Sequence, residues 1–247
     1  MTTEGTPVGT VQALYRYAVK STAGQGLQSV DVTSRGLQHD RGWAIYTADG
    51  GIASGKRTRR FRPVPGLMQW SSEVPAGRDI PILESPHGDR FHADDPAASQ
   101  VLSTAFGQQL RLRPETTVQH HDETPLHVVT TSSLAALAGL SGGAVDARRF
   151  RANIVIDTGA DPVFQENDWA GAELAIGEHV LIRLGQGMPR CLMIDQDQRA
   201  VPRGPKTLRL LGTHCNTEFG LQAHPAQLGT ISVGDKVTLR RPEAPGA

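Results

Sequence analysis

The stretch Ala152-Asn153-Ile154-Val155-Ile156-Asp157 is the strongest strand signal in the chain, because three consecutive β-branched apolar residues run between two polar turn formers. Working outward, residues 173–176, 179–184, 191–195 and 236–239 read as further short strands on the C-terminal side. On the N-terminal side, residues 127–130 read as a strand. Thr131 or Ser132 then caps a helix through Ser133-Leu134-Ala135-Ala136-Leu137-Ala138-Gly139-Leu140, which Gly142-Gly143 ends. A brief helix is expected around residues 146–150.

Further upstream, residues 10–17 alternate apolar and polar side chains as a half-buried strand does. Residues 27–32, 43–47, 67–70 and 90–92 are short runs bounded by Gly, Pro, Asp or Ser, the pattern of an antiparallel meander or barrel. Ala48-Asp49-Gly50-Gly51 reads as a hairpin turn, since Asp and Gly tolerate positive φ. Residues 94–106 predict a short helix with an acidic N-terminus, and residues 114–124 a polar loop. The class is mostly β with a few helices. The pattern shifts near residue 115 with no flexible linker, so two intimately packed halves are expected: 1–114, then 115–241, with 242–247 as a frayed tail.

Bulk properties narrow the function. The 247 residues hold 25 basic and 25 acidic side chains, so no global field favours nucleic acid or an anionic membrane. No apolar stretch approaches the roughly 20 residues that span a bilayer, and residues 1–9 lack the apolar core of a secretory signal. With 2 cysteines there is no disulfide framework, and a reducing cytoplasm is the natural setting. No nucleophile elbow, phosphate-binding loop or dinucleotide fingerprint is present, and the 9 histidines show no metal-site spacing.

Any anion site must therefore come from local clusters. Lys20-Ser21 follows a strand. Asp40-Arg41 is followed by the basic run Lys56-Arg57-Thr58-Arg59-Arg60, and Arg148, Arg149 and Arg151 precede Asn153. Arginine offers a planar fork for phosphate or pterin edges and lysine a point charge, but each cluster alone also reads as solvated surface. Cys191 follows Pro189-Arg190 at an expected strand start, where a neighbouring cation lowers a thiol's pKa and suits it to a soft metal; an inert core cysteine is the competing reading. Cys215 lacks an adjacent cation and reads as structural.

Taken in order, these segments resemble the MOSC family, named after the C-terminal domain of molybdenum cofactor sulfurase. The resemblance runs through Tyr17-Ala18-Val19-Lys20-Ser21, Asp40-Arg41-Gly42-Trp43, Arg149-Phe150-Arg151-Ala152-Asn153-Ile154-Val155-Ile156, Phe164-Gln165-Glu166-Asn167-Asp168-Trp169, Arg190-Cys191, Phe219-Gly220 and Gly229-Thr230-Ile231-Ser232-Val233-Gly234-Asp235. It implies a MOSC-type β-barrel with an N-terminal β half, and a molybdopterin-type cofactor whose molybdenum is ligated by Cys191. Lys20, Ser21, Arg41, Thr124, Arg151, Asn153 and Arg190 fall on or beside cofactor-contacting positions.

The resemblance further implies a molybdenum-dependent oxidoreductase that reduces N-hydroxylated or N-oxide substrates by oxygen-atom transfer. A separate electron-transfer protein would be its partner, since no flavin or haem signature appears. A carrier of the cofactor, or a persulfide-transfer module without turnover, is the alternative, and another anionic ligand in the same pocket is a third. Ala152 stands where the family commonly has Pro. Glu123 is acidic where a hydroxyl is common, and the basic run 56–60 is longer than that of amidoxime-reducing members, so their substrate is not carried over.

Overall fold

Why three apolar residues run together at Ile154–Asp157 is answered by the two layers that cover this strand in the computed structural model, which describes residues 5–161, 163–202, 204 and 206–241. Ile154 and Ile156 point into one core with Leu14, Leu126, Leu174 and Ile182, while Val155 packs in another with Phe150, Leu137 and Phe219. A strand buried on both faces has no polar alternation to show.

Seven strands close into a barrel. In order around it they are Ile154–Asp157, Leu126–Thr130, Glu218–Gln227, Val180–Pro189, Glu173–Ile176, Lys236–Arg240 and Thr6–Arg16, the last pairing back onto the first from Thr10↔Asp157 to Leu14↔Ile154. Closure leaves no sheet edge to pair with other chains. Leu126–Thr130 and Ile154–Asp157 are parallel, so a crossover must join them. Helix Thr131–Ser141 supplies it, with Thr130 accepting from the Ser133 amide as its N-cap and Gly142 at φ 72 ending it. Among the described residues strand covers 38% and helix 18%, the mostly β class expected.

Of the remaining β structure, Gln25–Leu27 pairs onto Thr6–Arg16, Ser29–Thr33 lies between Gly36–Leu37 and Gly229–Ser232, and the rest falls within residues 43–114. A four-stranded sheet (Leu110–Pro114, Trp43–Thr47, Ile52–Ser54, Phe61–Pro63) and a three-stranded sheet (Arg90–His92, Ile82–Glu84, Ser71–Glu73) pack with helix Ala98–Phe106 around Ile45, Leu67, Trp70, Leu83, Leu102 and Leu110. The hairpin turn forms as expected, Thr47 donating to the Gly51 carbonyl at 2.8 Å. Strand Thr6–Arg16 crosses from this half into the barrel, and Ser29–Thr33 pairs with Gly229–Ser232, so the two halves share hydrogen-bonded strands.

Three local expectations are corrected. Leu67–Gln69 is a 3-10 turn rather than a strand, entered through Gly66 at φ 86. Residues 27–32 divide between Gln25–Leu27 and Ser29–Thr33, which pair with different partners. Residues 191–195 are not a strand: Leu192–Asp195 is a 3-10 turn, because the Asp195 carboxylate accepts from the amides of Thr207 at 2.7 Å and Leu208 at 3.3 Å, tying the segment to helix Leu208–His214. That helix and strand Glu218–Gln227 are additions to the sequence reading. The tail 242–247 lies outside the described residues.

Candidate functional site

A cavity of about 180 Å³ opens where the turn after Thr6–Arg16, the loops leading into Trp43–Thr47, Leu126–Thr130 and Ile154–Asp157, and the turn after Val180–Pro189 meet. All eight residues singled out from the sequence line it: Lys20, Ser21, Arg41, Thr124, Arg151, Asn153, Arg190 and Cys191. Three of them hold left-handed backbone, Ser21 at φ 66, Arg41 at φ 50 and Arg151 at φ 55. A non-glycine residue there costs about 1 kcal/mol or more, so the surrounding contacts must hold it. Those contacts are visible. Arg41 donates from its backbone amide to the Tyr17 carbonyl at 2.9 Å, and its own carbonyl lies 2.9 Å from His120 Nδ1. Arg151 caps a 3-10 turn through its amide and the Arg148 carbonyl.

Tyr17 and Asp40 organise the wall. The guanidinium carbons of Arg41 and Arg151 lie 4.5 and 4.1 Å from the Tyr17 ring centroid, a cation–π geometry. Burial pushes the Tyr17 phenol up to about 12, so it stays neutral. Fully buried Asp40 accepts from the Tyr17 amide at 2.7 Å and from Asn153 Nδ2 at 3.1 Å, and it pairs with Arg41. Burial alone would raise its carboxyl; Arg41, His121 and the Tyr17 amide outweigh it and hold the group at about 2. Asn153 Oδ1 also accepts from the His127 amide at 3.2 Å, and its Nδ2 reaches the Tyr15 carbonyl at 3.2 Å. Its amide is committed to protein partners, so Asn153 shapes the cavity by positioning its neighbours. Thr124 likewise turns its hydroxyl to the Leu126 carbonyl at 2.9 Å.

The cations are held out of water. Burial pulls Lys20 down to about 8, partly offset by Asp122, and pulls Arg151 and Arg190 each down to about 10. Asp122 bridges Lys20 and Lys56, the latter at 2.7 Å. Burial acts to raise its carboxyl, but the two lysines reverse this and hold it well below the ordinary carboxylate range. Among the described residues, five buried side-chain polar atoms lack a hydrogen-bond partner: His121 Nε2, Arg149 Nε, Arg151 Nη2, Arg190 Nε and Glu166 Oε1. His121 Nε2 faces the Asp40 carboxylate at 3.6 Å, which leaves the nitrogens of Arg149, Arg151 and Arg190, three residues lining this cavity, without an acceptor. Each unsatisfied buried donor costs about 1–3 kcal/mol, a cost removed when an acceptor arrives.

Cys191 is a free, partly exposed thiol at the end of a strand rather than at its start, the position expected from the sequence. It is extended at φ −137 and ψ −179 and precedes the 3-10 turn. Arg190 fixes it on one side by donating from its amide to the Thr217 carbonyl at 2.8 Å and from Nη2 to the Phe150 carbonyl at 2.9 Å. Met188 and Met193 add sulfur to the same wall. Cys215 is half-buried against the core around Phe219, where burial raises its thiol.

The sequence reading gave His121, Asp122 and His127 no site role and placed Lys56 and Arg149 only within basic clusters, though all five line the cavity. His120-His121-Asp122 was legible only as a polar loop cluster, because its partners Tyr46, Arg41, Lys20 and Lys56 lie far away in sequence. His127 is buried and held neutral by desolvation and the Arg190 charge, with Nε2 3.0 Å from the Phe219 carbonyl.

The family model of the MOSC domain matches residues 115–238, and that of the MOSC N-terminal beta barrel domain matches residues 8–109. The chain belongs to the MOSC family. Among relatives of this MOSC protein, human mitochondrial amidoxime-reducing component 1 is 25% identical over 94% of this chain and 83% of its own length. The molybdenum cofactor sulfurase of Oryza sativa subsp. japonica is 26% identical over 83% of this chain but 30% of its own length. Among solved structures, the YUAD protein of Bacillus subtilis superposes over 95% of this chain and 97% of its own with a TM-score of 0.52 at 12% identity, a likeness of fold alone. Among the described residues no helix is long and apolar enough to cross a membrane.

Proposed function

We propose that this MOSC protein binds a molybdenum cofactor, with the Cys191 thiolate as the protein's metal ligand, and reduces N-hydroxylated or N-oxide substrates. The observation that carries the reading is the set of three unpartnered guanidinium nitrogens, from Arg149, Arg151 and Arg190, on residues that line one cavity also holding a free thiol. Donors without acceptors fit a ligand rich in phosphate and pterin acceptors, and a thiolate suits a soft metal. The relatives named amidoxime-reducing component and molybdenum cofactor sulfurase support the same choice.

In this reading Lys20, Arg41, Arg151 and Arg190 hold the anionic and pterin edges, and Cys191 holds the metal. The bound cofactor would supply the two-electron chemistry that, with two electrons and two protons, converts N–OH into N–H and water, or an N-oxide into the parent amine and water. Asp40 and Tyr17 fix the Arg41 and Arg151 guanidiniums before the cofactor arrives, so little reorganisation is needed. Ser21 contributes the left-handed turn that lets Lys20 approach from the end of the first strand. Electrons come from a separate redox protein, and the reducing cytoplasm suggested by the cysteine content belongs to the same proposal, the human relative being mitochondrial by name.

Cys191→Ser tests the assignment: molybdenum content and reduction of a benzamidoxime with an artificial donor should both fall to background. Full metal content with unchanged turnover rejects it. A second reading, a cofactor carrier or persulfide-transfer module, draws on the sulfurase relative and on the accessible thiol. Benzamidoxime reduction by the metal-loaded protein decides between them.

A further inference from the structure

The basic run 56–60 is not used by the site described above beyond Lys56, yet it is held against the cavity wall at both ends. Lys56 lines the cavity and pairs with Asp122 at 2.7 Å. Arg60 donates from Nη1 to the carbonyl of His121, another lining residue, at 3.3 Å. Both cations lie 5.0 Å from the ring centroid of buried Phe61. Between them Thr58 staples the loop, its hydroxyl accepting from the amides of Arg60 and Phe61 at 3.1 Å each. Arg62 reinforces it by donating to the carbonyls of Thr58 at 3.1 Å and Arg59 at 3.3 Å. A solvated charge run needs none of this bracing.

What the bracing presents is Arg57 and Arg59, both exposed and, among the described residues, without an ion pair or side-chain hydrogen bond. Leu192, directly after Cys191, is 66% exposed. Its turn is pinned to the basic loop by Gln196 Nε2 donating to the Gly55 carbonyl at 2.7 Å and by Ser54 Oγ donating to Met193 Sδ at 3.5 Å. The carboxylates nearby are Asp122, already neutralised by two lysines, Glu123, and Asp197 beside Gln196. The thiol therefore has an exposed apolar neighbour in sequence, and the loop braced against the same cavity carries two unpaired guanidiniums.

We propose that Arg57 and Arg59 select the substrate: an organic N–O compound with an apolar body and, at its far end, a carboxylate or phosphate. This rests on the N–O reductase reading and names the class of molecule that reading leaves open. Leu192 receives the apolar body and the two guanidiniums receive the anion, while the buried cations are reserved for the cofactor. Exposed pairs are weak one by one, roughly two- to fivefold each, so two together give about tenfold. Salt screens that contribution.

The test compares 4-carboxybenzamidoxime with its methyl ester, which share one reducible N–O bond and differ in charge. The metal-loaded protein with an artificial electron donor should favour the acid by about tenfold in kcat/KM at low salt, the difference lying in KM. Calorimetric binding of both compounds to the resting protein should show the same ratio without turnover. The double variant Arg57→Ala, Arg59→Ala should lose the preference and leave kcat on the ester unchanged, as should high salt in the unaltered protein. Equal use of acid and ester, or an undiminished preference in the double variant, overturns the proposal. So does a variant impaired only when a protein donor replaces the artificial one, which would make the loop a docking surface for that donor. If neither compound is reduced, the reductase reading fails by itself, and the calorimetric ratio still decides whether the arginines bind the anion.

Discussion

The barrel wall at Ile154–Asp157 and the cavity wall immediately before it, Arg149 to Asn153, are neighbours in sequence but are built to opposite rules. In the first, Ile154, Val155 and Ile156 are sealed on both faces and the backbone is paired on both sides. In the second, Arg151 is buried with one guanidinium nitrogen unpartnered, and Arg149 has the same deficit. The difference teaches where stability is generated and where it is withheld: apolar burial stabilises the barrel, and the adjacent loop carries desolvated cations that only a ligand can satisfy.

The contrast is open to attack at several points. The largest expected effects are on the barrel side and on Asp40, the fully buried acid behind the cavity wall. Ile156→Ala should cost about 2–5 kcal/mol in chemical denaturation, since a closed sheet collapses poorly around the space left. Asp40→Ala should cost about 3 kcal/mol, because it strips partners from the Tyr17 amide, Asn153 and Arg41 together. A small loss at Asp40 would show that the cavity wall is not held by that carboxylate.

Next comes pH. Lys20 sits at about 8 when folded against 10.5 as the ordinary value, so the folded protein releases this proton first. Between those limits the unfolded chain binds more protons, and this group's contribution makes stability rise with pH from about 8 to 10.5. Binding of inorganic phosphate to the metal-free protein should move the other way, weakening as pH climbs past about 8 and the ammonium is lost. Titration calorimetry across that range checks it, and a flat profile would remove Lys20 from the anion site. The smallest stability effect is reserved for Arg151→Met. Removing a buried, incompletely paired cation should shift stability by less than about 1 kcal/mol while lowering phosphate affinity by roughly tenfold. A large stability loss there would erase the contrast between the two walls.

The same contrast explains what could be read in advance. Ile154–Asp157 was legible because burial on two faces leaves a continuous β-branched run. Strand Glu218–Gln227 was not, since Gly220 at φ 68 and Pro225 interrupt its pattern although it pairs on both sides. Lys20, Arg41, Arg151 and Cys191 stood out as residue types in a familiar order, and one cavity gathers them. Asp122 and His121 read only as a polar loop and Lys56 only as part of a basic run, because their shared meaning comes from a fold that brings residue 20 and residue 56 onto one carboxylate. The turn at Leu192–Asp195 was read as a strand because the cap that bends it, Asp195 on Thr207 and Leu208, is a contact across more than a dozen positions of sequence.

X-ray absorption at the molybdenum edge, on protein purified from cells able to make the cofactor, tests the central claim most directly. The unaltered protein should show molybdenum with a sulfur neighbour beyond those of the pterin, and Cys191→Ser should show one fewer sulfur or no metal at all. An identical sulfur shell in the variant, or unaltered protein that takes up no molybdenum, would contradict the account.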